Sequence, residues 1–216
     1  MTGPALPAIA VQQQSGSRIT ATRIPGCPAL SLLRGFLDDA TSDSLYRRLR
    51  QEQAWPDNHY EVFGRRFTLP RLQTWHADAG IVYSYSDNLL VTRPWSALLS
   101  DLRQRVQGRL GAAFNAVLVN YYRDGDDYVG WHSDDERELG AQPLIASLSL
   151  GAPREFQFRR KGEGAAAGSV LLESGSLLVM EPAFQHDWQH CVPRVAAGEG
   201  RINLTFRLVL PPLVQG

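Results

Sequence analysis

The sequence predicts an α+β chain, mainly β, with a double-sheet jelly roll as its core and helices flanking it toward the N-terminus. Three observations lead there. Helical apolar periodicity is confined to two stretches in the first half, strand-length runs separated by turn residues fill the second half, and residues 201–208 alternate polar and apolar at period two. The 216 residues, 44% hydrophobic and 20% charged, suffice for one sizeable core.

Residues 1–25, with Gln12-Gln13-Gln14-Ser15-Gly16-Ser17 and scattered prolines, are expected to be a flexible tail, and 26–216 a single domain. An apolar stretch over 29–36 leads into Asp38-Asp39-Ala40-Thr41-Ser42-Asp43, which offers several helix caps. Leu45 and Leu49 then face the core, Arg47, Arg48 and Arg50 form a basic face, and Trp55-Pro56 ends the helix. Tyr60-Glu61-Val62-Phe63-Gly64-Arg65-Arg66-Phe67 reads as a hairpin. Tyr83 and Tyr85, two residues apart, share a strand face. Thr92-Arg93-Pro94-Trp95 supplies a cap and an early proline for a second helix, whose buried stripe is Trp95, Leu98, Leu99, Leu102, Val106 and Leu110. Gly111 stops it.

Residues 114–122 form a strand on which Asn120 and Tyr122 share a face, and Asp124-Gly125 turns the chain back toward His132. Residues 144–150 and 155–158 read as a hairpin about Gly151-Ala152-Pro153, followed by a glycine-rich loop over 159–169. Strands at 170–172 and 177–180 are split by Ser174-Gly175.

The chemistry-bearing stretch is Trp131-His132-Ser133-Asp134. In extended backbone, residues two apart leave the same face, so His132 and Asp134 point together, and His190 can close a three-point site. Two histidines and a carboxylate on one face of a metal leave the opposite positions open, as in non-haem iron(II) oxygenases. By itself His-x-Asp is a common accidental pair. In Arg201-Ile202-Asn203-Leu204-Thr205-Phe206-Arg207-Leu208 one face carries two arginines, an asparagine and a threonine. An exposed antiparallel strand would alternate in the same way. Guanidinium groups, however, match carboxylates with paired hydrogen bonds, so such a strand beside a metal triad points to 2-oxoglutarate.

Charge neither supports nor excludes nucleic acid as partner: 22 basic residues balance 22 acidic ones, so any contact relies on local clusters such as Arg65-Arg66 and Arg159-Arg160-Lys161. Two cysteines without a CxxC pair, and no charged segment leading into a long apolar core, predict a reducing, cytoplasmic compartment. No run approaches a membrane span, and a monomer is expected.

Five stretches together resemble the AlkB family of iron(II)- and 2-oxoglutarate-dependent nucleic-acid demethylases. They are Asn120-Tyr121-Tyr122-Arg123-Asp124-Gly125, Trp131-His132-Ser133-Asp134-Asp135-Glu136, Ile145-Ala146-Ser147-Leu148-Ser149-Leu150-Gly151, Asp187-Trp188-Gln189-His190 and Arg201-Ile202-Asn203-Leu204-Thr205-Phe206-Arg207. The resemblance implies a double-stranded β-helix core with a nucleotide-recognition lid. It further implies iron(II) on His132, Asp134 and His190, 2-oxoglutarate as co-substrate and dioxygen as oxidant. Carried over residue by residue, Tyr122 and Arg201 hold the remote carboxylate, while Asn120, Asn203 and Arg207 sit toward the keto-acid end. Asp135 accepts from the damaged base, Tyr83 and Tyr85 stack on it, and Arg71 lies on the substrate side or at a phosphate. Phe63 matches a wedge that fills the gap left by a flipped base in duplex DNA.

The activity so implied is oxidative demethylation of N-alkylated bases, of the 1-methyladenine and 3-methylcytosine type, in DNA and conceivably RNA. Formaldehyde, succinate and carbon dioxide are the products. Two other classes are compatible with the residues: a related oxygenase acting on a protein side chain or small molecule, and a non-catalytic nucleic-acid reader. The Val62-Phe63-Gly64 tip is like the duplex-acting branch, whereas the stretches around His132 and His190 are more like the branch preferring single strands.

Overall fold

The computed structural model describes residues 20–56, 59–62, 65–81, 84–85, 88–89 and 91–210. Its first elements are strands β1 (Thr22–Ile24) and β2 (Cys27–Leu33), helix α1 (Asp39–Glu52) and strands β3 (His59–Val62), β4 (Arg65–Thr68) and β5 (Leu72–Ala77). Short strands β6 (Ser84–Tyr85), β7 (Asn88–Leu89) and β8 (Thr92–Arg93) precede helix α2 (Ala97–Leu110). There follow β9 (Ala116–Tyr122), β10 (Val129–His132), β11 (Ile145–Gly151), β12 (Arg154–Arg160), β13 (Gly168–Leu172) and β14 (Leu177–Met180). Helix α3 (Pro182–Asp187), β15 (Trp188–Val192) and β16 (Arg201–Arg207) complete the chain.

Two sheets face each other. The larger has strand order β1-β2-β14-β11-β16-β9-β5-β8 and the smaller β10-β15-β12-β13, while β3–β4 and β6–β7 are separate two-stranded ribbons. Alternation along the large sheet supplies two cores. Toward the small sheet, Trp75, Leu118, Ile145 and Leu178 pack with Phe156, Phe158, Phe184 and Trp188. On the opposite face Val117, Val119, Leu148, Leu204 and Phe206 meet Leu45 and Leu49 of α1 and Leu99, Leu102 and Val106 of α2. The helices therefore back the large sheet and leave the space between the sheets to the site. Asp38 caps α1 by accepting from the Thr41 amide at 2.8 Å, and Gly111, at φ 65°, closes α2 in the left-handed conformation that a side chain disfavours.

Three expectations need correction. Residues 22–24, assigned to the tail, form β1 and pair with β2 through a turn at Gly26, so the ordered domain starts before residue 26; residues 1–19 lie outside the described residues. The second helix is capped by Ser96, whose Oγ accepts from the Leu99 amide at 3.2 Å, because Thr92 and Arg93 are drawn into β8 beside β5. Lastly, β11 and β12 are no hairpin. β11 pairs with β14 and β16, β12 with β13 and β15, and the Gly151-Ala152-Pro153 connection crosses from one sheet to the other. Adjacent strands in the chain read alike whether they pair or part.

Candidate metal centre and co-substrate cavity

Strand pairing assembles the site. His132 ends β10 directly opposite His190 on β15, and on the large sheet Tyr122 and Asn120 of β9 stand opposite Arg201 and Asn203 of β16. A single cavity between the sheets is lined by His132, Asp134 and His190 together with Asn120, Tyr122, Arg201, Asn203 and Arg207. All seven residues of β16 are buried, so its polar face points into this cavity and not into solvent.

His132, Asp134 and His190 each offer one ligand atom, and these atoms lie within 4.8 Å of one another. The imidazole centroids are 4.1 Å apart. His132 Nδ1 lies 2.8 Å from the Gly130 carbonyl, which makes Nδ1 the donor and leaves the Nε2 lone pair for a metal. The Phe156 ring stacks on His190 at 4.9 Å and 19° and holds its plane. Asp134 is held on two sides: its amide donates to Gln185 Oε1 at 2.9 Å, and Arg207 Nη2 donates to its Oδ2 at 2.9 Å.

The electrostatics favour a metal-ready state. Burial alone would raise the Asp134 carboxyl, but Arg207 and the two imidazoles more than offset it and the pKa falls to about 2. Burial lowers both histidines, and at His190 the neighbouring His132 adds to it. The lowering is weightier at His190, which is 5% exposed, than at His132, whose side chain keeps 22%. Two neutral imidazoles and one ionised carboxylate form a donor set that suits iron(II). Asp134 Oδ1 and His190 Nδ1 are buried without a hydrogen-bond partner, an arrangement costly to leave unsatisfied.

The opposite part of the cavity suits a dicarboxylate. Arg201 is 1% exposed; its Nη2 donates to Ser149 Oγ at 2.9 Å, while Nε and Nη1 are buried without hydrogen bonds. The Asn203 amide nitrogen donates to Ser147 Oγ at 2.7 Å and to the Leu148 carbonyl, and its Oδ1 accepts from Thr205. That amide is a fixed part of the wall. Arg207, expected near the keto-acid, is spent in part on Asp134.

The substrate-side expectations fare differently. Arg71 is 4% exposed and lines the cavity, donating from Nε to Asn120 Oδ1 at 3.0 Å and from Nη1 to the Tyr128 carbonyl. Burial puts it on the cavity wall. Asp135 does not line the cavity; its carboxylate faces outward, paired with Lys161 Nζ at 2.7 Å. Phe63, Tyr83 and the side chain of Tyr85 lie outside the described residues. His186 is exposed and bonded to the Ala141 carbonyl, apart from the triad.

Sequence reasoning missed Gln185, Ser147, Ser149 and Phe156. The serines had a signal, since Ile145-Ala146-Ser147-Leu148-Ser149 alternates as β16 does. Gln185 and Phe156 had none, because each meets the site only through tertiary packing.

Residues 29–207 match the 2OG-Fe(II) oxygenase superfamily. The rat protein "Alpha-ketoglutarate-dependent dioxygenase alkB homolog 3" is 39% identical over 196 residues, covering 86% of this chain and 66% of its own length. The mouse "DNA oxidative demethylase ALKBH2" is 40% identical over 185 residues, covering 80% of this chain and 77% of its own. The chain belongs to the AlkB family of these oxygenases. As a member, it is a 2-oxoglutarate-dependent dioxygenase using iron(II), 2-oxoglutarate and dioxygen. A solved structure titled "The structure of OsALKBH1" superposes with a TM-score of 0.61 at 20% identity, covering 88% of this chain and all of that one, and shares the jelly-roll fold of this AlkB-family chain.

Proposed function

We propose that this chain oxidatively demethylates N-alkylated bases of the 1-methyladenine and 3-methylcytosine type in DNA, as a direct-reversal repair enzyme. The carrying observation is one cavity in which His132, Asp134 and His190 are close enough to share a metal ion beside Arg201, whose Nε and Nη1 are buried without hydrogen bonds. The names of the relatives support DNA as the substrate. On the strand next to β15, Arg159 lies 4.3 Å over Trp131 and supports a phosphate-bearing partner, while Arg160, 4.3 Å over Trp188, is paired with Asp187 at 3.3 Å.

In this reading His132, Asp134 and His190 hold iron(II), with Asp134 kept ionised by Arg207 and aimed by Gln185. Arg201 and Tyr122 receive the remote carboxylate of 2-oxoglutarate, while Asn120, Asn203 and Arg207 shape the keto-acid end. The chemistry supplied by iron(II), 2-oxoglutarate and dioxygen is oxidative: one oxygen atom leaves in succinate as carbon dioxide departs, and the other hydroxylates an N-methyl group that is lost as formaldehyde. The protein's share is to bind, orient and shield. Phe156, Leu118 and Met180 line the cavity with apolar surface that limits water. Asp135 recognises the base, exchanging Lys161 for the cationic lesion, and Tyr83, Tyr85 and Phe63 form the stacking wall and the wedge. The domain acts as a monomer in a reducing, cytoplasmic setting. Cys27 and Cys191 are buried free thiols, which supports the reducing setting; no helix among the described residues is long and apolar enough to cross a membrane.

Turnover of a 1-methyladenine oligonucleotide should release formaldehyde and succinate in equal amounts, and Asp134→Ala should reduce both by more than about 100-fold. Succinate release uncoupled from formaldehyde, with stoichiometric hydroxylation of a peptide instead, would reassign the substrate. Phe63→Ala should lower turnover on duplex more than on single-stranded substrate; equal losses remove the wedge.

A further inference from the structure

Arg154 opens β12 and stands behind the cavity, not on its lining. It is 2% exposed, a costly place for a guanidinium unless its donors are satisfied. Main-chain carbonyls satisfy its two terminal nitrogens, while Nε is buried without a hydrogen bond. Nη1 donates to the Asp124 carbonyl at 3.2 Å, and Nη2 donates to the Asp127 carbonyl at 2.9 Å and to the Pro193 carbonyl. These oxygens belong to two connections. One runs from Tyr122 to β10 and His132, the other from β15 and His190 to Arg201, and both cross between the sheets. The crossovers also touch directly, since the Val195 amide donates to the Gly125 carbonyl at 3.0 Å.

The same guanidinium lies 5.7 Å from the centre of the Tyr122 ring, and that of Arg201 lies 5.1 Å from it. One ring thus faces two buried cations. Burial lowers the Arg201 pKa and the Arg154 charge lowers it further, while Tyr122 opposes them. Asp127 and Asp124 offset part of the Arg154 charge, and Asp127 is shared with Arg123, which it meets at 2.7 Å. This end of the cavity carries positive charge that an incoming carboxylate relieves.

We propose that Arg154 is a positioning residue for the co-substrate: by clamping both crossovers and packing on Tyr122, it sets the Tyr122 hydroxyl beside Arg201 and adds positive potential where the remote carboxylate of 2-oxoglutarate is received. The inference rests on the assignment of that carboxylate to Tyr122 and Arg201. Lysine cannot stand in, because a single ammonium does not reproduce a planar fork reaching three carbonyls.

Calorimetric titration of 2-oxoglutarate into the manganese-loaded protein under argon tests this. Arg154→Lys should weaken 2-oxoglutarate binding about tenfold, leaving the affinity for a methylated oligonucleotide within about twofold. Tyr122→Phe should also weaken it, and the double variant should lose little more than the worse single one, because both act through one ring. Parent-like affinity in Arg154→Lys, or a double variant showing the full product of the two single losses, overturns the proposal. A parent protein that binds no 2-oxoglutarate overturns the co-substrate assignment itself and this inference with it. Hydrogen exchange on the unmutated protein needs no variant to fold: 2-oxoglutarate should slow exchange across residues 124–128 and 193–195, and unchanged exchange there with ligand bound also overturns it.

Discussion

Asp134 shows how much of a metal site is set by residues that never meet the metal. Its carboxylate is 1% exposed, and Arg207 and Gln185 occupy two of its polar atoms so that Oδ1 is left facing the histidines. Gln185 is itself fully buried, with Nε2 directed at the Met180 sulfur at 3.5 Å. Removing an orienting partner of this kind typically weakens metal affinity by about 10-fold or more. Gln185→Ala is therefore expected to weaken manganese binding by about that factor, read by electron paramagnetic resonance titration at constant pH. Parent-like affinity would show that the Asp134 amide contact does not orient the carboxylate.

Strand register does at the scale of elements what orienting partners do at the scale of side chains. His132 opposite His190, and Tyr122 opposite Arg201, are register facts, and a one-residue slip in either pair would turn those side chains out of the cavity. The crossovers maintain register across the gap between sheets, and Gly125 lets them meet: a Cβ there would lie 2.4 Å from the Val195 carbonyl oxygen, a backbone atom that cannot swing aside. Gly125→Ala should therefore destabilise the fold by about 1–3 kcal/mol. The measurement is a fall in the urea midpoint without a change in slope, and an unchanged midpoint would mean that the crossovers have slack.

For the molecule as a whole, burying histidines as neutral rings makes stability depend on pH. Burial lowers His76, His132 and His190 below their ordinary value, so in the unfolded chain each takes up a proton near pH 6.5 that the folded state refuses. Stability of the metal-free protein should be level above about pH 7.5 and fall as pH drops below about 6.5, each histidine contributing a slope approaching about 1.4 kcal/mol per pH unit. Asp134, depressed to about 2, adds a loss in the same direction once pH falls below the ordinary carboxylate range of about 4. Urea titrations with a chelator from pH 8 to pH 5 check this, and a flat profile would mean that the imidazoles are protonated in the folded state. Manganese and 2-oxoglutarate together should raise the melting temperature beyond either alone, since both bind only the folded cavity.

The sequence by itself determined the jelly-roll class and the helices that back it, and it placed His132 with Asp134 and Arg201 with Arg207 by spacing within a strand, while His190 joined them through the resemblance to the AlkB family. It could not tell that β11 and β12 part to different sheets, that residues 22–24 join the large sheet, or that Asp135 turns to Lys161 and away from the cavity. Nor did it reveal Gln185 holding Asp134, or Arg154 gripping the carbonyls of two crossovers. Most of those relations join residues tens of positions apart through pairing and packing, and local periodicity carries no trace of a partner that only the closed sheets bring near.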